Sequence, residues 1–249
     1  MAILMGFGQK LTNHRKQKRK YKKLEKQLHE SGAEQISTTD PDSRSIMIHG
    51  QVVEVCFNVQ TVVDDKHNLV IEYMPTNRND KKVLLSRARR AKEAMAVTTI
   101  TALADKGYHD GEQLYSCAKE EVITYVAVPD PPRNSPIPTP EYYGEKCKDN
   151  KKKDTFTCPM GQTLKSNGQC YDRKYDEYIT RVKHYKITKC KACPALAQWT
   201  SSEKGRILKR SEYAEAAEMN TQRVRKDPSI YSARQQILEH VFGTIKRSR

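Results

Sequence analysis

The chain has 249 residues, a length that suits one elaborated domain or two small ones, and its 45 lysines and arginines exceed its 30 aspartates and glutamates by 15. Such an excess of cations attracts polyanions, so nucleic acid is the favoured partner and an anionic membrane surface the weaker one. No apolar run approaches the roughly 20 residues of a membrane span, and the N-terminal MAILMGFGQKL is too short for a secretory signal.

Residues 1–36 are predicted to form a basic helical segment. Between residues 10 and 30 the chain is rich in Lys and Arg, and its few apolar side chains are too sparse to bury much surface. Two interpretations stay open for this helix: a solvated connector between domains, or a helix that contacts DNA. Gly32 is the expected stop, because glycine adopts the left-handed conformation that ends many helices.

Residues 37–128 are predicted to form an α/β core, with helices packed on a mixed sheet. Val52–Val63 and Leu69–Tyr73 read as two strands joined by the polar turn 64–68. A helix capped by Asn79 and Asp80 is expected over about residues 80–95. Its apolar residues are predicted to point inward and its cations outward, namely Arg87, Arg89, Arg90 and Lys92.

Asp105 is the first candidate for chemistry. It ends the short apolar run 100–104, and a glycine turn and a helix that opens near Asp110 follow. A further strand is expected over Val122–Val128. The end of a strand holds a side chain rigidly while the next loop exposes it, so Asp105 is predicted to be a metal ligand. The alternative interpretation is an aspartate that only caps its turn.

Residues 129–205 are predicted to be a proline-rich linker followed by a cysteine-containing insertion. An odd number of cysteines, seven, without an export signal favours thiols or metal ligands over disulfides. Cys190 and Cys193 form a C-x₂-C pair, and Cys158 offers a third thiolate, a spacing that suits tetrahedral zinc. The fourth ligand stays open among Cys147, Cys170 and His184. A redox pair or unliganded thiols are the alternatives.

Residues 206–249 are predicted to return to helix and to carry a second candidate acid, Glu239. Tyr231, Glu239 and Lys246 are predicted to fall near one helix face, with Arg234 on the same helix. A carboxylate beside an aromatic ring and two cations suggests a metal-bound acid that works next to phosphate. The alternative is that Glu239 is a solvated helix residue.

Several stretches resemble bacterial insertion-sequence transposases of the DDE type. ADKGYHDGEQL (104–114) resembles the second-Asp segment and YSARQQILEHVFGTIKR (231–247) the Glu segment of that family. STTDPDSRSI (37–46), the stretch 57–80 and the CPMGQTL…CKACP cysteine segment (158–194) are similar to the same family, in the same order. The resemblance spans roughly residues 37–247.

The resemblance implies a ribonuclease-H-like sheet flanked by helices, with a cysteine-containing insertion and a basic N-terminal helix. It implies DNA transposition, in which Mg²⁺ (or Mn²⁺) bound by Asp105 and Glu239 supports cleavage and strand transfer. Tyr231, Arg234 and Lys246 would contact phosphate, although four residues separate Arg234 from Glu239 where the family has three. The implied partners are transposon ends and target DNA, the full-length form is expected to be a homo-oligomer, and the implied location is the cytoplasm, at the nucleoid.

Two departures from the family shape the hypotheses. The sequence has no Asp-Gly-Thr-like strand for the first catalytic Asp, and Trp199 stands where the family usually has the last zinc-ligating Cys. We therefore expect a partial copy, truncated at both ends. Two functions remain: a DDE transposase, intact or decayed, whose first Asp is absent or replaced by an acid such as Asp64 or Asp40, and a non-catalytic DNA-binding remnant that interferes with an intact transposase.

Overall fold

The computed structural model describes residues 2–32, 35–40, 42–48, 52–77, 79–130, 137, 139–175, 178–202 and 205–247. The chain divides into two compact units, Met1–Asp80 and Lys81–Arg249. Among the residues in these ranges, no helix is both long enough and apolar enough to cross a membrane.

The first unit contains one long helix and two β-hairpins. Helix α1 (Ala2–Ser31) ends at Gly32, whose φ of +63° is the left-handed conformation predicted for the stop. Strands β1 (Arg44–Ile48) and β2 (Val52–Cys56) pair antiparallel, as do β3 (Asn58–Val63) and β4 (Val70–Thr76). The long strand predicted over 52–63 is therefore two strands, since pairing changes partner at Phe57.

The acidic residues of this unit are used in turns. Asp64 Oδ2 accepts hydrogen bonds from the backbone N–H of His67 at 2.9 Å and pairs with His67 Nδ1 at 2.8 Å. The backbone hydrogen bond from His67 is the main cause that lowers the pKa of Asp64. Asp40 Oδ1 accepts from the backbone N–H of Asp42 at 3.1 Å. The predicted turn at 64–68 is confirmed, and each of these two acids stabilises its own loop.

Asp80 was predicted to cap a helix, but its side chain binds to strand β3 instead. Its Oδ1 accepts hydrogen bonds from Asn58 Nδ2 and Gln60 Nε2, both at 2.6 Å, and so braces strand β3. Helix α2 (Leu84–Met95) begins four residues later, after a 3-10 turn, and its N-cap Val83 makes no side-chain capping bond. The sequence did not reveal this role, because the side chains of β3 that bind Asp80 lie 22 and 20 positions earlier in the chain.

The second unit is built on a β-α-β motif. Strands β5 (Ile100–Ala104) and β6 (Val122–Val126) are parallel, and helix α3 (Gly111–Lys119) connects them. Asp110 caps α3 as predicted, accepting from the backbone N–H of Gln113 at 3.1 Å. Helices α2 and α3 pack with these strands around a buried cluster, which comprises Leu84, Ala88, Ala104, Leu114, Cys117, Val122 and Val126.

One prediction about α2 is wrong. Arg87 was expected to face outward with Arg89 and Arg90, but Arg87 is buried, with only 8% of its surface exposed to solvent. Leu84, Arg87 and Ala91 follow the i, i+3, i+7 spacing of one helix face, and that face packs inward. Helical geometry therefore overrides the polarity of this side chain, whereas Arg89 and Arg90 are exposed.

The insertion folds as a sheet that the composition did not reveal. It contains β7 (Lys148–Asn150), β8 (Thr155–Thr157), β9 (Thr163–Tyr175), β10 (Tyr178–Lys186) and β11 (Leu208–Ser211), with the short helix α4 (Leu196–Trp199) between the last two strands. These strands form one antiparallel sheet in the order β11-β10-β9-β8-β7. The chain is thus mixed α/β, but in the described residues β5–β6, β3–β4 and this sheet are separate, not one mixed sheet. Most of the predicted proline linker, 131–136 and 138, lies outside the described residues.

Two helices end the chain: α5 (Ala214–Lys226) and α6 (Pro228–Arg247). Asn220 of α5 is fully buried, and its amide pairs with the backbone of Val126 in β6. Asn220 Oδ1 accepts from Val126 N–H at 2.9 Å, and Nδ2 donates to Val126 C=O at 2.7 Å. Arg223 adds hydrogen bonds to the carbonyl and hydroxyl of Thr124 at 3.1 and 3.0 Å. Side chains of α5 therefore satisfy the free edge of β6.

We expect Asn220→Ala to lower the free energy of unfolding by about 2–4 kcal/mol, because it leaves two buried backbone groups of β6 without partners. Urea denaturation followed by far-ultraviolet circular dichroism would measure the shift. Gln222→Ala, an exposed change two residues along the same helix, serves as control and is expected to cost less than about 0.5 kcal/mol. Equal midpoints for the two variants would contradict this role of Asn220.

Candidate functional site

Asp105 lies directly after β5, at the carboxyl end of the parallel pair. Its Oδ1 accepts from the backbone N–H of Gly107 at 2.8 Å and so caps the 3-10 turn Lys106–Tyr108. The side chain is half-buried, and the capping bond occupies one of its two carboxylate oxygens. The turn-capping interpretation of Asp105 is therefore observed, and a capped carboxylate of this kind still has an oxygen for a ligand.

The beginning of α6 lies close to this loop. Helix α6 contacts both β5 and β6. The hydrogen bond from Lys106 Nζ to Asp130 Oδ2, at 2.8 Å, is the main cause that raises the pKa of Lys106, and the nearby Asp105 and Tyr231 add to the rise. Asp105, Lys106 and Tyr231 thus share one neighbourhood, which we call the β5-end site. Lys106 was missed in the sequence, although a cation adjoining the candidate acid was a usable signal.

Arg234 is the most distinctive side chain of this neighbourhood. Its guanidinium carbon lies 5.4 Å from the centre of the Tyr231 ring, a cation–π distance. Its Nε is buried and, among the described residues, has no hydrogen-bond partner. The buried Nε is closed to solvent, so a phosphate would be bound by the terminal Nη groups of this guanidinium, whose planar donors suit phosphate oxygens.

Glu239 lies farther along α6, on its exposed surface. It lies about 12 Å farther along the axis of α6 than Tyr231 and about 80° around it, because eight residues separate them. Its side chain is exposed, and its Oε1 accepts from Gln235 Nε2 at 2.8 Å. The expected single face of Tyr231 and Glu239 is thus not observed: Tyr231 and Arg234 are half-buried on the side of Val241, and Glu239 is on the surface.

The remaining site predictions stand as follows. Lys246 belongs to α6, but its side chain lies outside the described residues. Within the described part of the chain, no group of three or more His, Cys, Asp or Glu side chains is arranged to hold a metal ion. The geometry therefore supplies a cationic, aromatic site around one carboxylate, and the assignment of Glu239 as its partner stays a prediction.

The three cysteines predicted for zinc do come together. Cys158, Cys190 and Cys193 line one small cavity of about 20 Å³ at the side of the insertion sheet. Trp199 and Arg206 complete its wall, and the indole Nε1 of Trp199 is buried without a partner among the described residues. Burial raises the pKa of Cys190, so this thiol is not activated as a nucleophile or redox group would be.

Residues 157–249 match the family model of a transposase DDE domain. The resemblance to DDE-type transposases, predicted from the motifs, is confirmed by this match. The matched range includes the three cysteines that line the cavity and the whole of α5 and α6, whereas Asp105 precedes it. No curated protein and no solved structure matches the chain.

The guanidinium of Arg234, held on the Tyr231 ring, leads to a test with duplex DNA. We expect Arg234→Ala to weaken binding about tenfold, the effect of losing one charge-assisted hydrogen bond, and Arg234→Lys to restore only part of it. Fluorescence anisotropy at low salt would measure the affinities. Lys226→Ala removes the same charge from an exposed position at the end of α5 and is the matched control. An equal loss in the control would show that net charge alone explains the effect.

Proposed function

We propose that this chain is a transposase of the DDE type, acting in metal-dependent DNA cleavage and strand transfer at the ends of an insertion sequence. The observation that carries the proposal is the β5-end site, where Asp105 at a strand terminus is followed by Lys106, and Tyr231, on whose ring Arg234 is stacked, is near enough to Lys106 to influence its pKa. The family match and the net charge of +15 support it independently.

The proposed metal is Mg²⁺, or Mn²⁺, with Asp105 and Glu239 as its protein ligands. Mg²⁺ generally takes few protein carboxylates and completes its shell with water and phosphate oxygens, so two acids are an adequate set for one ion. When bound, such an ion polarises a phosphate and activates the attacking oxygen. The described residues do not fit a two-metal arrangement, which needs a further bridging carboxylate near Asp105.

The chain's own residues have separate roles in this proposal. Arg234, held on the Tyr231 ring, donates to a non-bridging phosphate oxygen and fixes the DNA backbone beside Asp105. Lys106 adds positive charge around the same phosphate, and Lys246 is proposed to contact phosphate as the family resemblance implies. Asp105 is held in place by the amide of Gly107, so its carboxylate does not have to be ordered when the substrate binds.

We include in the proposal that these 249 residues, which contain no Asp-Gly-Thr-like motif for the first catalytic Asp, bind DNA but do not complete the reaction alone. Asp40 and Asp64, the acids considered as replacements, are each engaged in a local turn. The partners are then transposon ends and target DNA, with homo-oligomers formed by the full-length enzyme at the nucleoid.

A non-catalytic DNA-binding protein is the second candidate function, and the surface of α1 favours it. Over residues 12–31 every Lys and Arg of this helix is exposed. One of them, Lys26, forms an ion pair with Glu30 at 3.6 Å. A helix with cations on all sides gains little from packing and much from a polyanion. Such a remnant would occupy transposon ends and interfere with an intact transposase.

We also propose that Cys158, Cys190 and Cys193 hold a structural zinc ion in the insertion. The donor set is suitable because zinc prefers thiolates in a tetrahedral arrangement. The cavity, of about 20 Å³, has room for a single ion or water molecule. The ion, when bound, would tie the C-x₂-C turn to the loop after β8.

An Mg²⁺- or Mn²⁺-dependent nicking assay on DNA with the element's own ends separates the two functions. We expect the parent chain to bind this DNA without nicking it, and Asp105→Asn to bind as well or slightly better because a negative charge next to phosphate is lost. Glu239→Gln is run in parallel. Nicking by the parent that disappears in both variants would show that another acid completes the site and that the chain is a working enzyme.

The role of α1 is tested by the salt dependence of DNA binding. Each phosphate contact contributes about 0.9 to the slope of log affinity against log salt, so Lys18→Gln with Lys22→Gln is expected to reduce that slope by about 1 to 2. Lys152→Gln with Lys153→Gln, in the exposed turn between β7 and β8, is the charge-matched control. Unchanged slopes in the α1 variant would favour the interpretation of α1 as a connector.

A further inference from the structure

The zinc proposal lacks a fourth ligand in the place where the family resemblance puts one. That position holds Trp199, whose side chain is buried and whose ring lies 5.8 Å from the ring of Tyr142. An indole has a single N–H donor and no lone pair to offer a metal ion. The missing ligand must therefore come from another part of the insertion.

Two of the three side chains left open by the sequence are unsuitable. Cys170 is exposed on β9, where it pairs with Lys183 of β10. His184 is stacked on the Tyr171 ring at 4.6 Å, and it lies opposite Lys209 of β11. Burial, with the charges of Lys209 and Lys186, lowers the pKa of His184. None of the three candidates, Cys147 included, lines the cavity itself, so position relative to Cys158 decides between them.

Cys147 is placed differently, because the β7–β8 hairpin brings it to Cys158. The antiparallel register pairs Lys148 with Thr157 and Asp149 with Phe156. Continuing that register by one pair sets Cys147 directly opposite Cys158, and opposite residues on one face of an antiparallel pair have Cβ atoms about 4.5–5.5 Å apart. Both cysteines are buried in the same cluster as Trp199.

We propose that Cys147 replaces the ligand lost at Trp199, so that Cys147, Cys158, Cys190 and Cys193 form a four-thiolate zinc site. The inference rests on the proposed zinc site but not on catalysis. Two ligands come from one end of the β7–β8 hairpin and two from the C-x₂-C turn, in which Cys193 N–H donates to Cys190 C=O at 3.2 Å. The ion thereby joins two segments that are distant in sequence.

The surroundings suit the charge of such a site. Four thiolates and one Zn²⁺ carry a net charge of about −2, and the half-buried guanidinium of Arg206 lies in the same cavity wall. Burial lowers the pKa of Arg206, while its interaction with Cys147 opposes that change. Gly205 makes the close approach possible: its φ is +83°, and a Cβ there would lie 2.8 Å from Cys190 Cβ.

The side chains must close on the ion when it binds, since no three donors in the described residues are already grouped as ligands. Burial raises the pKa of Cys147 and of Cys190. Because cysteine coordinates zinc as the thiolate, metal binding is coupled to the loss of thiol protons.

The test uses the full 249-residue chain, with zinc and cobalt(II) as probes. Zinc content is measured by elemental analysis, and affinity by titration of the fluorescence of Trp199, which is the sole tryptophan and lines the cavity. We expect one zinc per chain and a loss of affinity of about 100-fold or more in Cys147→Ser, because outer partners of a ligand alone cost 10- to 100-fold. Cys170→Ser, on the exposed face of β9, is the control and should bind as the parent does.

Cobalt(II) counts the thiolates in the parent chain without depending on a variant. The sulfur-to-cobalt charge-transfer absorption should correspond to four thiolates and fall by about a quarter in Cys147→Ser. A parent spectrum typical of three thiolates, equal zinc affinity in Cys147→Ser, or no bound zinc would each overturn the proposal. A disulfide between Cys147 and Cys158 in the isolated, unreduced protein would overturn it as well. DNA nicking is measured in a separate assay, so failure of the catalytic proposal does not change the interpretation of the zinc measurements.

Discussion

The position of the candidate active site depends on one buried amide. Asn220 satisfies both backbone groups of Val126 and so fixes α5 against β6, across 94 positions of the sequence. Without this contact the last strand of the β-α-β motif would have an open edge, and α6, which follows α5 after a single residue, would lose its orientation. Helix α6, which carries Tyr231 and Arg234, follows directly from α5 and contacts β5 and β6.

The features that the sequence predicted correctly are local. Asp110 caps α3, Asp64 closes its hairpin and Gly32 ends α1, because in each case the side chain or φ angle acts on residues within three positions. The missed features are long-range. Asn220 is a polar residue among alanines, and nothing near it in the chain reveals that its partner is a strand edge. The five-stranded sheet is likewise assembled from segments whose polar, Lys-rich composition hides the alternation of buried Thr180 and Val182.

Charge is arranged differently in the structured core and on the surface. Lys82 Nζ pairs with Glu112 at 2.8 Å and Asp110 at 3.1 Å, and it lies 3.5 Å from the centre of the Tyr178 ring. One cation thus connects the start of α2, the start of α3 and the tip of the β9–β10 ribbon. By contrast, the Lys and Arg side chains of α1 over residues 12–31 are all exposed to solvent. A net charge of +15 therefore consists of a paired set that stabilises the fold and a solvated set that is available to a polyanion.

Both candidate sites are assembled from one locally determined part and one distant part. At the β5 end, the Asp105 turn is fixed by its own Gly107 amide, whereas Arg234 arrives only through α5. In the insertion, the C-x₂-C turn is local, whereas Cys147 arrives through the β7–β8 register. A departure from the family pattern, such as Trp199, is therefore visible to motif comparison, while the proposed compensation by Cys147 across a hairpin is not. The loss of a motif residue, taken alone, is weak evidence that a site has been lost.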